Sequence, residues 1–273
     1  MLTYQYTNIS ETILGYIPLH WHVEMQFVVV KKGIIEIRIN GNKIPVSKGE
    51  GFFINSGIIH EIYAITPDAT FICWNVGITL FDKHIQNKYI LPLIQEGSTP
   101  YVLLDPLHEK HIIIIEGILR SFYVFKEQGK GFELVISSQY LLCLKELFNE
   151  VNLHSSNNIP IYDQRVKKIL KYIHNNYHFQ ISLEQLAEIA YLSKSETIRL
   201  FKKHVGKTPF NYILTYRLER SIDLLIGTES TITEISNECG FSSVSYFIEK
   251  FKNSYDTTPK KFRKEKKVKG QVP

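Results

Sequence analysis

Two groups of residues in this chain could do chemistry. His20-Trp21-His22, with Gln26 four residues on and His60 closing the segment KGEGFFINSGIIH (48–60), brings three imidazoles and one amide into the first quarter of the sequence. Imidazole nitrogens ligate transition metals. They also hydrogen-bond to a small organic molecule in a polar pocket. The second group is Ser195, Glu196, Arg199, Lys202 and Lys203, spaced to leave an exposed row on one helix. Arg on such a row suits guanine edges in a major groove, and Lys suits phosphates. The bland alternatives are structural histidines and a solvated charged face. No other catalytic constellation is visible.

The elements that position the basic row are repeated. SLEQLAEIA (182–190) is answered by TITEISNEC (231–239) 49 residues later, and FKK at 201–203 by FKN at 251–253, 50 residues later. Thr208–Pro209 is answered by Thr258–Pro259, again at 50. A short helix, a tight turn and a second helix, made twice on a basic chain, point to a pair of helix-turn-helix units that read DNA.

In the first unit Ser182 caps a helix, and Gln185 completes a capping-box pattern. Leu186, Ala187 and Ala190 face inward, Tyr191–Leu192 makes the turn and Ser193 caps the second helix. That helix starts at Lys194 and turns Thr197, Leu200 and Phe201 to the core. Thr208 and Pro209 open a longer connecting helix that runs through Phe210, Ile213 and Leu218 to Gly227. In the second unit Ile232, Ile235 and Cys239 face inward, Gly240 turns, Phe241 plugs the core and Ser242 caps. Ser243, Val244, Ser245, Ile248, Glu249 and Lys252 then form the outward row.

Charge is divided the same way. Residues 1–158 carry 12 Lys and Arg against 15 Asp and Glu, whereas residues 159–273 carry 20 against 12. The surplus of cations lies in the half with the repeat, as phosphate contact requires. The three cysteines have no metal or disulfide spacing, which fits a reducing cytoplasm. The start has no basic-then-apolar leader, and no apolar run approaches the ~20 residues that span a bilayer.

Residues 1–105 alternate β-branched and aromatic runs with turn signals. Strands are predicted at 24–30, 34–39, 43–46, 51–55, 61–65 and 70–76, with Asn40–Gly41 as a two-residue hairpin. No helical pattern intervenes, so an all-β sandwich or barrel is expected. Residues 106–153 then read as two amphipathic helices. The first carries Leu107, His111, Ile114, Ile115, Ile118, Leu119 and Phe122 on one face; the second carries Leu134, Val135, Ser138, Leu141, Leu142, Lys145, Leu147 and Phe148. The pair either closes the barrel or exposes a stripe for a homodimer. HSSNNIP (154–160) reads as a linker, and KKFRKEKKVK as a disordered basic tail.

These residues carry a resemblance. Residues 162–264 look like the DNA-binding domain of the arabinose-regulator (AraC/XylS) family at Leu186–Ala187, Ser193, Phe201–Lys202, Thr208–Pro209, Arg217–Leu218, Leu224–Leu225, Gly240–Phe241, Ser245–Tyr246–Phe247, Phe251–Lys252, Thr258–Pro259 and Arg263. Tyr191, Ser236, Asp256 and Glu249 depart from the family pattern: they stand where small residues, Ala, Gly and basic residues are common. The His-x-His and GE…NSxxxH segments resemble the two motifs of the cupin family, small jelly-roll barrels. In metal cupins two His and a Glu come from the first motif and a His from the second. His20, His22 and His60 match, and Gln26 stands in the place of the Glu. A neutral amide offsets no cation charge, which favours a metal-free effector pocket.

The chain is therefore expected to have two domains. A cupin-like barrel (1–105) and helical pair (106–153) are followed by a linker (154–160), an all-α double helix-turn-helix domain (161–264) and a basic tail (265–273). The implied function is a DNA-binding transcription regulator, most simply an activator and not an enzyme. A small-molecule effector, a sugar by family analogy, would bind at His20, His22, Gln26 and His60. Duplex DNA would meet Lys194, Ser195, Glu196, Arg199, Lys202, Lys203, Ser243, Val244, Ser245, Ile248, Glu249 and Lys252. RNA polymerase and a second copy of the chain are the further partners expected, with no membrane, metal or cofactor. The alternatives are an effector-independent dimeric regulator and a metal-dependent cupin enzyme fused to a DNA module.

Overall fold

The computed structural model describes residues 2–77, 82–94, 98–154 and 164–269. The chain divides into two units, Met1–Tyr162 and Asp163–Pro273.

The first unit contains β1 (Leu2–Asn8), β2 (Tyr16–His20), β3 (Met25–Lys32), β4 (Ile34–Ile39), β5 (Asn42–Ser47), β6 (Gly51–Ile54), β7 (His60–Ala64), β8 (Thr70–Val76) and β9 (Tyr101–Leu104). They form a five-stranded sheet in the order β1-β8-β3-β6-β9 and a four-stranded sheet in the order β2-β7-β4-β5. All pairings are antiparallel. Asn40 and Gly41 take φ values of 52° and 77°, the left-handed pair that a two-residue hairpin requires.

Strands β1, β2 and β9 escape the sequence reading, as do the helical turns α1 (Lys83–Ile85) and α2 (Leu91–Ile94) with the π-helical turn Gln86–Ile90 between them. The first two strands are edge strands. β1 places polar residues at alternate positions, and β2 carries Pro18, which an edge tolerates because no ladder bond is lost there. Pro45 lies in the other edge strand, β5, for the same reason.

Helices α3 (Glu109–Glu127) and α4 (Phe132–His154) pack on the outer face of the five-stranded sheet. Met25, Phe27 and Val29 of β3 and Ile72, Trp74 and Val76 of β8 share one core with Ile114, Ile115, Ile118, Ile136, Tyr140, Cys143 and Leu147. Side chains alternate along a strand, so Gln26, Val28 and Val30 turn to the opposite face, toward the interior. Burial on both faces is why β3 reads as a continuous apolar run.

The buried face of α4 differs from the predicted one. Ile136, Tyr140, Cys143, Leu144 and Leu147 are buried, while Leu134, Leu141 and Leu142 are exposed. The helix is apolar on both sides, and Tyr140 settles the choice by packing edge-on to Trp74 at 5.6 Å and Phe27 at 6.2 Å. Leu107 precedes α3 and is 91% exposed, not on its apolar face.

The second unit holds α5 (Gln164–Asn176), α6 (Leu183–Ala190), α7 (Lys194–Val205), α8 (Pro209–Gly227), α9 (Ile232–Glu238), α10 (Val244–Tyr255) and α11 (Pro259–Lys269). Capping boxes start α6 (Ser182 with Gln185), α7 (Ser193 with Glu196) and α9 (Thr231 with Glu234). Thr208 caps α8 with Pro209 in its first turn, as read from sequence. The cap of α10 is Ser243, not Ser242: its hydroxyl accepts from the Tyr246 amide. Phe210 is half exposed, and Tyr212 takes its place in the core.

The basic tail is helical through Lys269 rather than disordered. The Thr258–Pro259 start nucleates α11, and Phe262 packs on Phe251 at 5.5 Å. The predicted linker beyond His154 lies outside the described residues.

Candidate nucleic-acid interface and barrel site

Helices α7 and α10 each follow a short helix, α6 or α9, across a tight turn. Phe201, Thr197 and His204 bury the inner side of α7, which leaves Lys194, Ser195, Glu196, Arg199, Lys202 and Lys203 exposed on the other. Two of these are engaged locally. The Glu196 carboxylate accepts from the Ser193 amide at 3.1 Å and from the Ser193 hydroxyl at 2.7 Å, and these bonds hold it below the usual carboxylate range. Lys194 pairs with Glu184 of α6. Ser195, Arg199, Lys202 and Lys203 make up the rest of the row.

On α10, Phe247 and Phe251 are buried, and Ser245, Tyr246, Glu249 and Lys252 are exposed, with Val244 and Ile248 partly so. Ser243 is occupied as the helix cap. Lys250 went unnoticed in the sequence. Its ammonium donates to Glu249 at 2.9 Å and lies 5.2 Å from the Tyr246 ring. The negative charge of Glu249 is therefore countered from the next residue, a contact that a helical wheel does not suggest because i,i+1 neighbours point apart.

Two arginines set the helices that carry these rows. Arg217 of α8 donates from Nε to the Tyr177 carbonyl and from Nη2 to the Phe179 carbonyl, both at 2.7 Å. Arg263 of α11 donates to the Leu225 carbonyl at 3.0 Å and the Ser230 carbonyl at 2.6 Å. Each guanidinium satisfies carbonyls just past or at a helix C-terminus, where backbone acceptors lack partners. Arg217 and Arg263 belong to the family resemblance, and their work here is structural.

In the barrel, His20 lies directly opposite His60 across the β2–β7 pair, and His60 lies opposite Ile39 of β4. Directly opposed residues share a face, which puts both histidines on the side of buried Ile35, Ile37 and Ile39. His22 follows β2, with ring centroids 5.6 Å from His20 and 5.4 Å from His60; His20 and His60 are 4.3 Å apart. Ligand nitrogens of the three rings all lie within 4.8 Å of one another, so this trio could hold an ion.

Burial and the neighbouring imidazole lower the pKa of His20, and lower that of the fully buried His60 further, which keeps both rings neutral. Gln26, on the inward side of the facing sheet, donates to Cys73 Sγ at 3.1 Å, and its Oε1 has no partner among the described residues. Burial pushes the Cys73 thiol up to about 12, so it stays protonated.

Comparison with known proteins gives two domain matches, a helix-turn-helix domain over residues 186–265 and a cupin domain over residues 14–75. The chain is 36% identical over 261 residues to the uncharacterized HTH-type transcriptional regulator YdeC of Bacillus subtilis (strain 168), covering 94% of this chain and 90% of that one. It is 34% identical over 250 residues to the HTH-type transcriptional activator RhaS of Mannheimia succiniciproducens, covering 90% and 89%. The solved structure of ToxT from Vibrio cholerae O395 is similar at a TM-score of 0.50 and 15% identity over 96% of each chain, a likeness of fold alone.

Proposed function

The chain belongs to the AraC/XylS family of helix-turn-helix transcription regulators, and from that premise we propose which side chains read DNA and what the barrel adds. It is a sequence-specific DNA-binding regulator. In our reading α7 and α10 enter successive major grooves, spaced by α8, whose 19 residues make a rod of about 28 Å. Arg199 contacts a guanine edge, with Ser195 beside it, and Lys202 and Lys203 contact phosphates. On α10, Val244, Ser245 and Ile248 face the bases and Lys252 the backbone, while Lys250 offsets the charge of Glu249. Glu196 and Ser243 serve the caps.

The observation that carries this reading is the exposed Arg199, Lys202 and Lys203 row on a helix whose other side is sealed by Phe201 and Thr197. The barrel is the sensing half, with a ligand at His20, His22, Gln26 and His60, and the role is regulatory rather than catalytic. A homodimer joined through Leu134, Leu141 and Leu142 of α4 would present paired DNA-binding units, and those leucines are exposed. Activation through RNA polymerase is the expected output, by analogy with the named activator among the relatives.

Selection of bound duplexes from a random pool tests the reading, with wild type beside Arg199→Ala. The variant is expected to lose preference at one base pair by roughly 5- to 150-fold, the equivalent of about 1–3 kcal/mol, and to keep it elsewhere. Uniform weakening on every sequence, with a shallower salt dependence, would reassign Arg199 to phosphate.

A further inference from the structure

Helix α5 takes no part in the DNA reading above, yet it packs on both α6 and α7. Val166, Ile169, Leu170 and Ile173 form its buried side. Arg165 and Lys168, three residues apart, are exposed along one flank. Both flank the start of α7. After the bonds from Ser193, the charges that stabilise the Glu196 carboxylate are those of Arg199 and Arg165, which sets Arg165 on the side of α5 that faces α7. The Lys168 ammonium lies 5.8 Å from the ring of Tyr191, in the turn just before α7.

Tyr191 holds a φ of 54° at the end of α6 with its side chain in solvent. Left-handed backbone disfavours a bulky L residue, and glycine would make the same turn without strain. Burial offers no compensation at so exposed a position. Strain retained there points to work done by the side chain itself, and its phenolic hydroxyl is a donor suited to a phosphate oxygen. The second unit shows the contrast. Helix α8 packs on α9 and α10 as α5 packs on α6 and α7. Leu214, Arg217 and Gly240 stand 49 residues on from Arg165, Lys168 and Tyr191. The first is apolar, the second is engaged by the Tyr177 and Phe179 carbonyls, and the third has no side chain. The cationic shoulder is confined to the first unit.

We propose that Arg165, Lys168 and the Tyr191 hydroxyl grip the DNA phosphate backbone beside the groove that α7 enters. This rests on the reading that α7 is a base-reading helix. A helix in a major groove is bounded by a phosphate backbone on either side. Lys202 and Lys203 stand in the last turn of α7, and the α5 shoulder stands at its first. Such contacts fix register and carry no base preference of their own. They hold the first unit at both ends of its recognition helix, which makes it the anchoring half of the DNA-binding domain.

Binding of the full chain to a duplex selected by wild type is measured by fluorescence anisotropy between about 50 and 200 mM salt. Arg165→Gln and Lys168→Gln are each expected to bind several-fold more weakly, with a log–log salt slope shallower by about 0.9, and the double variant by about 1.8. Base preference in a random pool should not change in any of them. Tyr191→Phe keeps the ring over Lys168 and removes only a neutral donor, so affinity should fall with the slope unchanged. Lys171→Gln, which removes an exposed cation from another part of α5, should behave as wild type. Circular dichroism of each variant identifies misfolding.

Wild-type affinity and slope in the folded double variant overturn the proposal, as does an equal loss in Lys171→Gln, which would reduce the effect to net charge. Lys202→Gln separates the two levels of the argument. A shallower slope for Lys202→Gln beside an unchanged double variant rejects the shoulder and keeps α7 on the DNA. Unchanged slopes in both reject the reading of α7 itself.

Discussion

Tyr191 and Gly240, 49 residues apart in the two copies, hold the same left-handed turn, with φ of 54° and 77°. The helix ends 50 residues apart, Gly206 and Asp256, do likewise at 76° and 55°. Each copy thus has one glycine and one side-chain-bearing residue at its two left-handed positions, in opposite order. A Cβ at Gly240 would lie 2.7 Å from the carbonyl oxygens of both Tyr177 and His178, whereas Tyr191 is 86% exposed with room for its side chain.

Tyr191→Gly is therefore expected to stabilise the helix-turn-helix unit by about 0.5–1 kcal/mol. Asp256→Gly should give less, because Asp tolerates this conformation better than Tyr does. Gly240→Ala should cost more than about 2 kcal/mol, since it adds a backbone clash to the strain. Urea midpoints at constant m decide all three. A destabilised Tyr191→Gly would show that its ring, 5.8 Å from the Lys168 ammonium, contributes more than the strain costs.

Ser236 fills the small-residue position of α9 and is fully buried, and its hydroxyl has no partner among the described residues. Ser236→Ala should be neutral or stabilising by up to about 1 kcal/mol. A loss of that size instead would mean that the hydroxyl is satisfied.

His174 Nε2 lies 2.6 Å from the Tyr212 hydroxyl, and burial with the nearby Arg220 lowers its pKa to about 4. The unfolded ring takes a proton near pH 6.5, and the folded ring resists until about pH 4. Between those values the unfolded state binds more protons, so stability falls as pH falls and is full above pH 6.5. After discounting for partial exposure, the loss should be about 1–2 kcal/mol. Denaturant unfolding at pH 7, 5.5 and 4.5 checks it, with His174→Gln expected to show a flatter profile.

Lys250→Ala removes the partner of Glu249 on the outward side of α10. DNA affinity should drop several-fold, and Glu249→Gln in the same background should recover most of it, because the carboxylate then no longer repels phosphate. Fluorescence anisotropy at two salt concentrations is the measurement. No recovery in the double variant would give Lys250 its own phosphate contact.

Much of this was legible in the sequence for local reasons. Caps at Ser182, Ser193 and Thr208, the Asn40–Gly41 hairpin and the strand at 34–39 depend on residues within a few positions of each other. The repeat offset and the outward row around Arg199 follow from periodicity alone. The misreadings are of elements whose pattern is ambiguous by itself. Helix α4 carries apolar residues on two sides, and edge strands β1 and β2 have polar or Pro positions that sequence treats as breaks.

The sequence by itself determined which residue types stand at the two candidate sites: three imidazoles and an amide in the first unit, and a basic helical row in the second. Only the tertiary structure decided what those groups are free to do. Glu196 and Ser243 are taken up by caps, and Arg217 and Arg263 by helix-end carbonyls 33 to 40 residues away. The β2–β7 register sets His20 against His60, and the Pro18 and Ile58 carbonyls orient the two rings through Nδ1. The physical reason is that a side chain's availability depends on which donors and acceptors surround it, and those come from segments that meet only when the chain is folded.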